Sequence, residues 1–277
     1  MTAKLLRALV YAGTVVTVAV LAGLVGYILL NGVPHLEPRL FEWEYTSENV
    51  SLMPALVDTL LMAVLALVLA VPVGVGAAIY LVEYARSSSR FVALVRMTTE
   101  TLQGIPSIIY GLFGLLFFTT VLGWGLSLLS GACTLAIMVL PVVMRTTEEA
   151  LLAVPGAYKH GGFALGAGRV RTILRCVLPS ALPGILGGVL LALGRCVGEV
   201  AALLFTAGTV AQIPDFAGEG ILALFDSCRT LAVHMYVLAS EGLHMDETYA
   251  TAVVLIVLVV VLNTAANFAA KKLKEEM

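Results

Sequence analysis

The chain has 277 residues, of which 60% are hydrophobic and 12% are charged, and its formal net charge is −2. Soluble globular domains typically contain about 25% charged residues, so this composition excludes an ordinary soluble domain and indicates an integral membrane protein. The near-neutral charge balance gives no indication of a nucleic-acid partner, and membrane lipid is the expected environment.

Six apolar stretches are long enough to cross the roughly 30 Å hydrocarbon core of a bilayer as helices, which takes about 20 residues. The sequence "LGWG" at 122–125 predicts the turn that separates the third stretch from the fourth. The first stretch is longer than a signal-peptide core, and we interpret it as a retained span. We therefore predict an all-α protein with six transmembrane helices. The stretches cover approximately residues 8–30, 56–82, 105–122, 126–144, 181–206 and 249–270.

Polar residues near the ends of these stretches are interpreted as interfacial residues. The apolar segment "LAVHMYVLA" at 231–239 is too short to span a bilayer and contains His234, so it is expected to be an interfacial or re-entrant piece. Asp58, near the outer end of the second stretch, is also expected at the membrane interface. The same holds for Glu100 and Gln103 at the inner end of the third stretch.

The basic residues indicate the orientation of the chain. Of the 16 lysine and arginine residues, 13 fall in segments on one side of the predicted membrane; Arg39 and Arg229 fall on the other side, and Arg195 lies inside the fifth stretch. Because short cytoplasmic segments are enriched in lysine and arginine, we predict a multi-pass membrane protein with both termini in the cytoplasm. The two outer segments, 31–54 and 207–247, are rich in acidic residues.

The sequence gives no indication of a cofactor or metal site on this chain. Its four cysteines are scattered without a C-x-x-C spacing, which argues against a disulfide framework or a zinc site. It also lacks the G-x-x-x-x-G-K-[ST] phosphate-binding loop of ATPases. We therefore expect that any ATP used with this protein is bound by another subunit.

The fifth apolar stretch contains two charged residues, Arg195 and Glu199, in the sequence "LALGRCVGEVAALLF" (191–205). A charge at the centre of a membrane helix costs about 2.5–3.5 kcal/mol on insertion scales. Residues four positions apart share a helix face, so one interpretation is a neutralised pair that only packs the bundle. In the alternative, both residues line a translocation path. Arg195 then binds an oxyanion, and Glu199 keeps that binding weak enough for release.

The segment 145–184 between the fourth and fifth stretches carries the most specific pattern. It contains three short helical patterns: "EEALLAV", which ends at Pro155, "AYKHGGFALGAG", which ends in glycines, and "RVRTILRCVLP", which is expected to end at Pro179 before the fifth span. A compact loop of short helices can press into a groove on a soluble partner. A solvated connector is the alternative.

This loop resembles the EAA loop of bacterial ABC importer permeases, in which E-A-A, three residues, Gly, nine residues, Ile and one residue precede Leu-Pro. Gly166 matches the glycine, and "LP" at 178–179 matches the end of the motif. Cys176 stands where isoleucine is usual, and "HGG" at 160–162 replaces E-A-A. The resemblance implies a loop that couples the membrane part to an ATPase. The residues expected to take part are Glu149, Ala164, Leu165, Gly166, Ala167, Leu178 and Pro179.

Further segments resemble the PstA-type permeases of bacterial phosphate ABC importers, over roughly residues 54–270. They include "AIYLVEYA" (78–85), "GIPSIIYGLFG" (104–114) and "GRCVGEVAALLFTAG" (194–208). The resemblance implies the six-span type I importer permease fold, with a first helix and outer segment in 1–54. A permease domain in 55–270 would contain the coupling loop at 145–180, and 271–277 would form a cytoplasmic tail.

The same resemblance implies a function in the import of inorganic phosphate across a bacterial or archaeal plasma membrane, with Arg195 and Glu199 in the translocation path. The chain itself would be a non-catalytic subunit without a cofactor. Its implied partners are a second, PstC-type permease, a PstB-type ATPase dimer that uses ATP and Mg, and a PstS-type extracytoplasmic phosphate-binding protein. An ABC permease for another oxyanion or small solute is the first alternative, and a secondary transporter is the second.

Overall fold

The structure is a computed structural model that describes residues 2–85 and 89–275, and within these ranges it contains helices and no strand. Short π-helical turns extend α2 and α4 and join α7 to α8. The helices are α1 (Thr2–Gly32), α2 (Met53–Ile79), α3 (Arg90–Gln103), α4 (Ser107–Gly114), α5 (Leu128–Leu152), α6 (Gly156–Ala164), α7 (Arg169–Thr172), α8 (Leu178–Val197), α9 (Ala201–Thr206), α10 (Leu231–Glu241) and α11 (Met245–Glu275).

Six helical units of the described chain match the six predicted spans. Five are long and apolar enough to cross a membrane, namely α1, α2, α5, the continuous helix of α7 and α8, and α11. The sixth is a broken span, in which α3 and the unit of α4 with its π turn, residues 107–121, count together and meet at an angle of 101°. The predicted turn after it is confirmed, since Gly123 and Gly125 have φ values of +70° and +66°. The all-α fold with six spanning helices is therefore confirmed.

The bundle is built around α5, the most deeply buried of these helices. Its inward-facing apolar residues, such as Leu135 and Met138, form one core with α2, α4 and α8. Small residues let the helices approach closely. A Cβ atom at Gly74 of α2 would lie 2.9 Å from Val143, and one at Gly111 of α4 would lie 2.8 Å from the Cα of Ala202. Alanine at either position would therefore push two helices apart.

The fifth span begins earlier than the sequence predicts, because its prolines do not end the helix. Arg169–Val197 forms one helix through Pro179 and Pro183. Proline lacks an N–H group and clashes with the carbonyl four residues earlier, which for Pro179 is Arg175. The π turn Ile173–Val177 contains that carbonyl and absorbs the irregularity. The predicted separate amphipathic helix is thus continuous with the span.

The end of the bundle that carries α6 and α7 is called the loop end below, and the opposite end of α2 is called the far end. At the far end, residues 33–52 fold back on the bundle through two 3-10 turns. The N–H group of Leu52 donates to the carbonyl of Leu40 at 2.8 Å, and both side chains are buried against α10 and α11. The segment that joins α1 to α2 is therefore an ordered cap.

Candidate functional site

Arg195 lies near the end of α8, two residues before the helix stops at Val197. Its side chain is half-buried. Within the described ranges, no carboxylate lies within 4.0 Å of its guanidinium group. The site is thus a cation in a candidate membrane span, and it forms no ion pair with any acidic side chain in the part of the chain that the structure describes.

Glu199 does not lie on the α8 helix face, because the span is broken at residues 198–200. α8 ends at Val197, and a separate short helix, α9, starts at Ala201. The buried Glu199 carboxylate accepts a hydrogen bond from the N–H group of Ala202 at 3.1 Å. It therefore satisfies one of the free N–H groups at the start of α9.

The predicted intrahelical pair of Arg195 and Glu199 is therefore wrong. Residues four apart face each other only in a continuous helix, and glycine at 198 with β-branched valine at 200 lowers the helix propensity at the break. The hydrogen bond from the Ala202 N–H group to the Glu199 carboxylate, one residue before the N-cap Val200, favours the interruption further. The interpretation in which the two charges only neutralise each other loses its geometric basis. The role of both residues in a translocation path stays a prediction.

An apolar cavity of about 640 Å³ adjoins the broken span. Val200 of the break and Ala201 of α9 line it on one side, and Tyr236 of α10 and Tyr249 of α11 line it on another. Interrupted membrane helices occur in transport proteins where the irregular backbone is buried or lines a cavity. The break in this span has both features, since Glu199 is buried and its neighbours face the cavity.

The proposed coupling loop ends α6 in a tight turn that requires glycine. The N–H group of Gly166 donates to the carbonyl of Phe163, and that of Ala167 donates to the carbonyl of Gly162. This pair of bonds closes a Schellman turn, which needs a left-handed residue at its centre. Gly166 supplies it with φ +76°. The loop pattern predicted from the sequence thus corresponds to a defined helix end.

The tip of this turn presents an apolar side chain to the surroundings of the bundle. Leu165 is 90% exposed, and Ala164 beside it is exposed as well. Phe163, one residue earlier, is 48% exposed. An exposed apolar patch on a loop is a common sign of a protein contact. This geometry favours docking over a solvated connector.

Close packing explains one departure from the E-A-A pattern. Gly162 is buried, and a Cβ atom there would lie 2.8 Å from Thr172 of α7. Glycine at 162 therefore lets α6 cross close to α7, where alanine would displace the threonine. His160 is exposed, and no ion pair to it is found among the described residues. A carboxylate in its place would face solvent.

The other predicted loop residues lie outside this turn. Glu149, near the end of α5, is exposed and forms an ion pair with Arg145 at 3.0 Å. Leu178 and Pro179 are half-buried at the start of α8, where Leu178 packs against an apolar cluster with α2 and α5. The structure therefore brings together 164–167 at the tip, whereas the other three residues support the base of the loop.

Two contacts between basic side chains of the loop and the end of α2 were not predicted. Lys159 of α6 forms an ion pair at 2.5 Å with Glu83, whose side chain is only 7% exposed. Arg169 of α7 donates to the backbone carbonyl of Glu83 and lies 4.9 Å from the ring centroid of Tyr84. The only sequence signal was a carboxylate at the end of the apolar run "AIYLVEYA".

The far end contains a buried polar cluster where the sequence predicted interfacial residues. The Asp58 carboxylate accepts from the N–H group of Arg229 at 3.1 Å, and the Thr59 hydroxyl accepts from that of Leu231 at 2.8 Å. Asp58 and His234 are fully buried. Their burial inside the protein was not predicted, whereas their expected position at the membrane interface stays a prediction. Burial and the charge of Arg229 lower the pKa of His234 to about 3.

Comparison with known proteins shows the family. A model described as "Binding-protein-dependent transport system inner membrane component" matches residues 70–277, more than half of the chain. The chain belongs to this family. It is 35% identical over 264 residues to a probable ABC transporter permease protein, YqgI, of Bacillus subtilis, which covers 90% of this chain and 88% of the relative.

Other members of the family that resemble the chain have a named substrate. The phosphate transport system permease protein PstA 1 of Mycobacterium tuberculosis is 36% identical over 212 residues, 76% of this chain and 68% of the relative. PstA of Xylella fastidiosa is 42% identical over 147 residues, 53% of this chain and 51% of the relative. The resemblance to PstA-type permeases is therefore confirmed.

Solved structures agree on the fold. An inward-facing MetNI methionine ABC transporter aligns with a TM-score of 0.62 at 20% identity, over 79% of this chain and 93% of that one. A bacterial alginate ABC transporter in complex with a pentasaccharide-bound periplasmic protein aligns with a TM-score of 0.71 at 15% identity, over 98% and 95%. These similarities confirm the type I importer permease fold.

Proposed function

We propose that this permease forms part of an ATP-driven importer for inorganic phosphate, together with a second, PstC-type permease. The main observation in favour of phosphate as the substrate is the identity of 36% over 212 residues to a phosphate transport system permease. The half-buried Arg195, which has no carboxylate partner among the described residues, supports it, because a planar guanidinium group suits phosphate oxygens. Arg195 lines the path and binds the anion during transport.

Glu199 has a structural role in addition to the one predicted from the sequence. Its carboxylate holds the start of α9 in place through Ala202, so it fixes the interruption of the span. This leaves Arg195 without a neutralising neighbour and keeps it available to the anion. Glu199 also adds a negative charge near the path, which keeps the anion from binding too tightly for release.

The loop end faces the cytoplasm in this proposal, together with both termini, as the distribution of basic residues indicates. There the tip around Leu165 docks on a PstB-type ATPase dimer. That dimer binds ATP and Mg²⁺, whereas this chain binds no cofactor and catalyses no reaction. The far end receives phosphate from a PstS-type extracytoplasmic binding protein.

The direct test is transport by the complete complex in proteoliposomes. We expect phosphate-loaded binding protein to stimulate ATP hydrolysis and inorganic phosphate to accumulate inside the vesicles. Sulfate and molybdate with the same binding protein serve as controls for selectivity. Stimulated ATP hydrolysis without phosphate accumulation would show that phosphate is not the substrate. If no extracytoplasmic extract stimulated ATP hydrolysis, the proposal that the complex is a binding-protein-dependent importer would be refuted.

A further inference from the structure

The loop end of α2 carries a buried carboxylate, Glu83, that forms an ion pair with a lysine of the coupling loop. α2 ends in the π turn Tyr80–Tyr84, after which Ala85 is extended. Glu83 lies on this last turn with a side chain 7% exposed. A negative charge at the C-terminal end of a helix is unfavourable, and a buried charge without a partner is strongly so. Among the described residues, Lys159 supplies its ion pair.

The coupling loop contacts the π turn at the end of α2 through two residues, one before the exposed tip at Leu165 and one after it. Lys159 is on α6, before the tip, and forms an ion pair with the Glu83 side chain at 2.5 Å. Arg169 is at the start of α7, after the tip, and donates to the Glu83 carbonyl. A cation at a helix C-terminus also satisfies the free carbonyl groups there. α6 and α7 are therefore both fastened to one residue of α2.

The far end of α2 is fastened in a similar way to the chain beyond the broken span. Asp58 and Thr59 accept hydrogen bonds from the N–H groups of Arg229 and Leu231. About 25 residues of helix separate Asp58 from Glu83, which corresponds to roughly 37 Å. α2 thus connects the coupling loop at one end of the bundle to residues 229–231 at the other.

We propose that Glu83 is a positioning residue that transmits movement of the coupling loop into α2, through Lys159 and Arg169, and thereby to residues 229–231 at the far end. When the ATPase displaces the tip at Leu165, the two attachments make α2 move with the loop. The proposal rests on the proposed function, because it assumes an ATPase at the loop end. It assigns the coupling to a contact within this chain.

The experiment uses the complete complex in proteoliposomes and three variants. Glu83→Gln keeps the size of the side chain and removes its charge. The charge exchange Glu83→Lys with Lys159→Glu restores an opposite-charge pair. Glu100→Gln is the matched control, because Glu100 is an exposed carboxylate 3.6 Å from Arg145 on the same end of the bundle. The readout is ATP hydrolysis stimulated by phosphate-loaded binding protein, together with the phosphate imported per ATP.

We expect Glu83→Gln to lower the stimulation by about fivefold or more, the usual lower range of coupling between distant sites. The ATPase that copurifies should stay at the wild-type level, the charge exchange should recover most of the stimulation, and Glu100→Gln should behave as wild type. Full stimulation in Glu83→Gln would overturn the proposal. So would loss of the assembled complex in Glu83→Gln and in the exchange alike, since it would show a role in folding alone.

The role of Glu83 can be tested even if phosphate is not the substrate of the complex. If the wild-type complex hydrolyses ATP in response to its binding protein but imports no phosphate, the substrate in the proposed function is wrong. The ratio of stimulated to basal ATP hydrolysis then still tests Glu83. Lys159→Met provides a second route, because it removes the same ion pair from the loop side and should lower the stimulation at least as much as Glu83→Gln, since it also leaves the Glu83 charge buried without this partner. Unchanged stimulation in Lys159→Met would also overturn the proposal.

Discussion

Leu165 offers the sharpest test of where the coupling loop docks. Its side chain is 90% exposed, more than any other large apolar side chain of the loop. It occupies the C-cap of α6, and its backbone conformation, with φ −83°, suits alanine equally well. The substitution Leu165→Ala should therefore leave the loop folded and remove only apolar surface that a partner would cover.

The size of the effect follows from the surface that docking buries. Burial of a leucine side chain contributes about 1.5–3 kcal/mol, or about 0.8 kcal/mol for each CH₂ group. Alanine retains a single methyl group, so we expect Leu165→Ala to weaken the binding of the ATPase by about 2 kcal/mol. That corresponds to roughly a 30-fold rise in the dissociation constant.

The assay is equilibrium binding of the purified ATPase subunit to the detergent-solubilised permease. Leu243→Ala is the matched control, because Leu243 is 81% exposed but lies between α10 and α11, away from the loop. The control should bind the ATPase with wild-type affinity. If Leu165→Ala also binds with wild-type affinity, the tip of the loop is not buried in the complex and the docking surface has been misassigned.

Three further predictions concern the turn, the buried histidine and the topology. Gly166→Ala should strain the left-handed turn by about 1–2 kcal/mol and lower ATPase coupling. Gly166→Asn should have a milder effect, because asparagine tolerates this conformation. An equal loss of ATPase coupling in both variants would contradict this prediction. Below pH 6.5 the unfolded chain protonates His234, whereas the folded chain, with a pKa of about 3, does not. The free energy of unfolding should therefore fall by up to about 1.4 kcal/mol per pH unit from pH 6.5 towards 3. Thermal unfolding in detergent should show a flatter pH profile for His234→Phe, and parallel profiles would refute the assignment. A cysteine at Glu48 should react with an impermeant thiol reagent added outside cells and one at His160 should not; the reverse pattern would invert the topology.

The spans could be predicted from the sequence because helix length and apolarity depend on local composition. The predicted third span, 105–122, agrees with α4 and its π turn at 107–121 within two residues. The limits of the fifth span could not be predicted in this way. A proline normally ends a helix, but at Pro179 the preceding π turn accommodates it. The break after Val197 depends on a side-chain cap that hydropathy does not register.

The candidate site could be predicted from the sequence only where a local sequence pattern determines the local geometry. Gly166 could be found because a left-handed helix end requires glycine at a fixed position. The contacts of Glu83 with Lys159 and of Asp58 with Arg229 join residues far apart in the chain, and no local pattern specifies such partners. His234 looked interfacial because a histidine in a short apolar run is polar. Its burial depends on a segment that folds over it from elsewhere.

Uptake of inorganic phosphate by a complex with Arg195→Gln tests the central claim most directly. The account predicts that the complex assembles and that uptake is abolished, because the substitution removes the cation that binds the anion in the path. Adding Glu199→Gln should not restore uptake, since the Glu199 carboxylate binds the Ala202 N–H group and not Arg195. Wild-type uptake in Arg195→Gln, or its recovery in the double variant, would contradict the account.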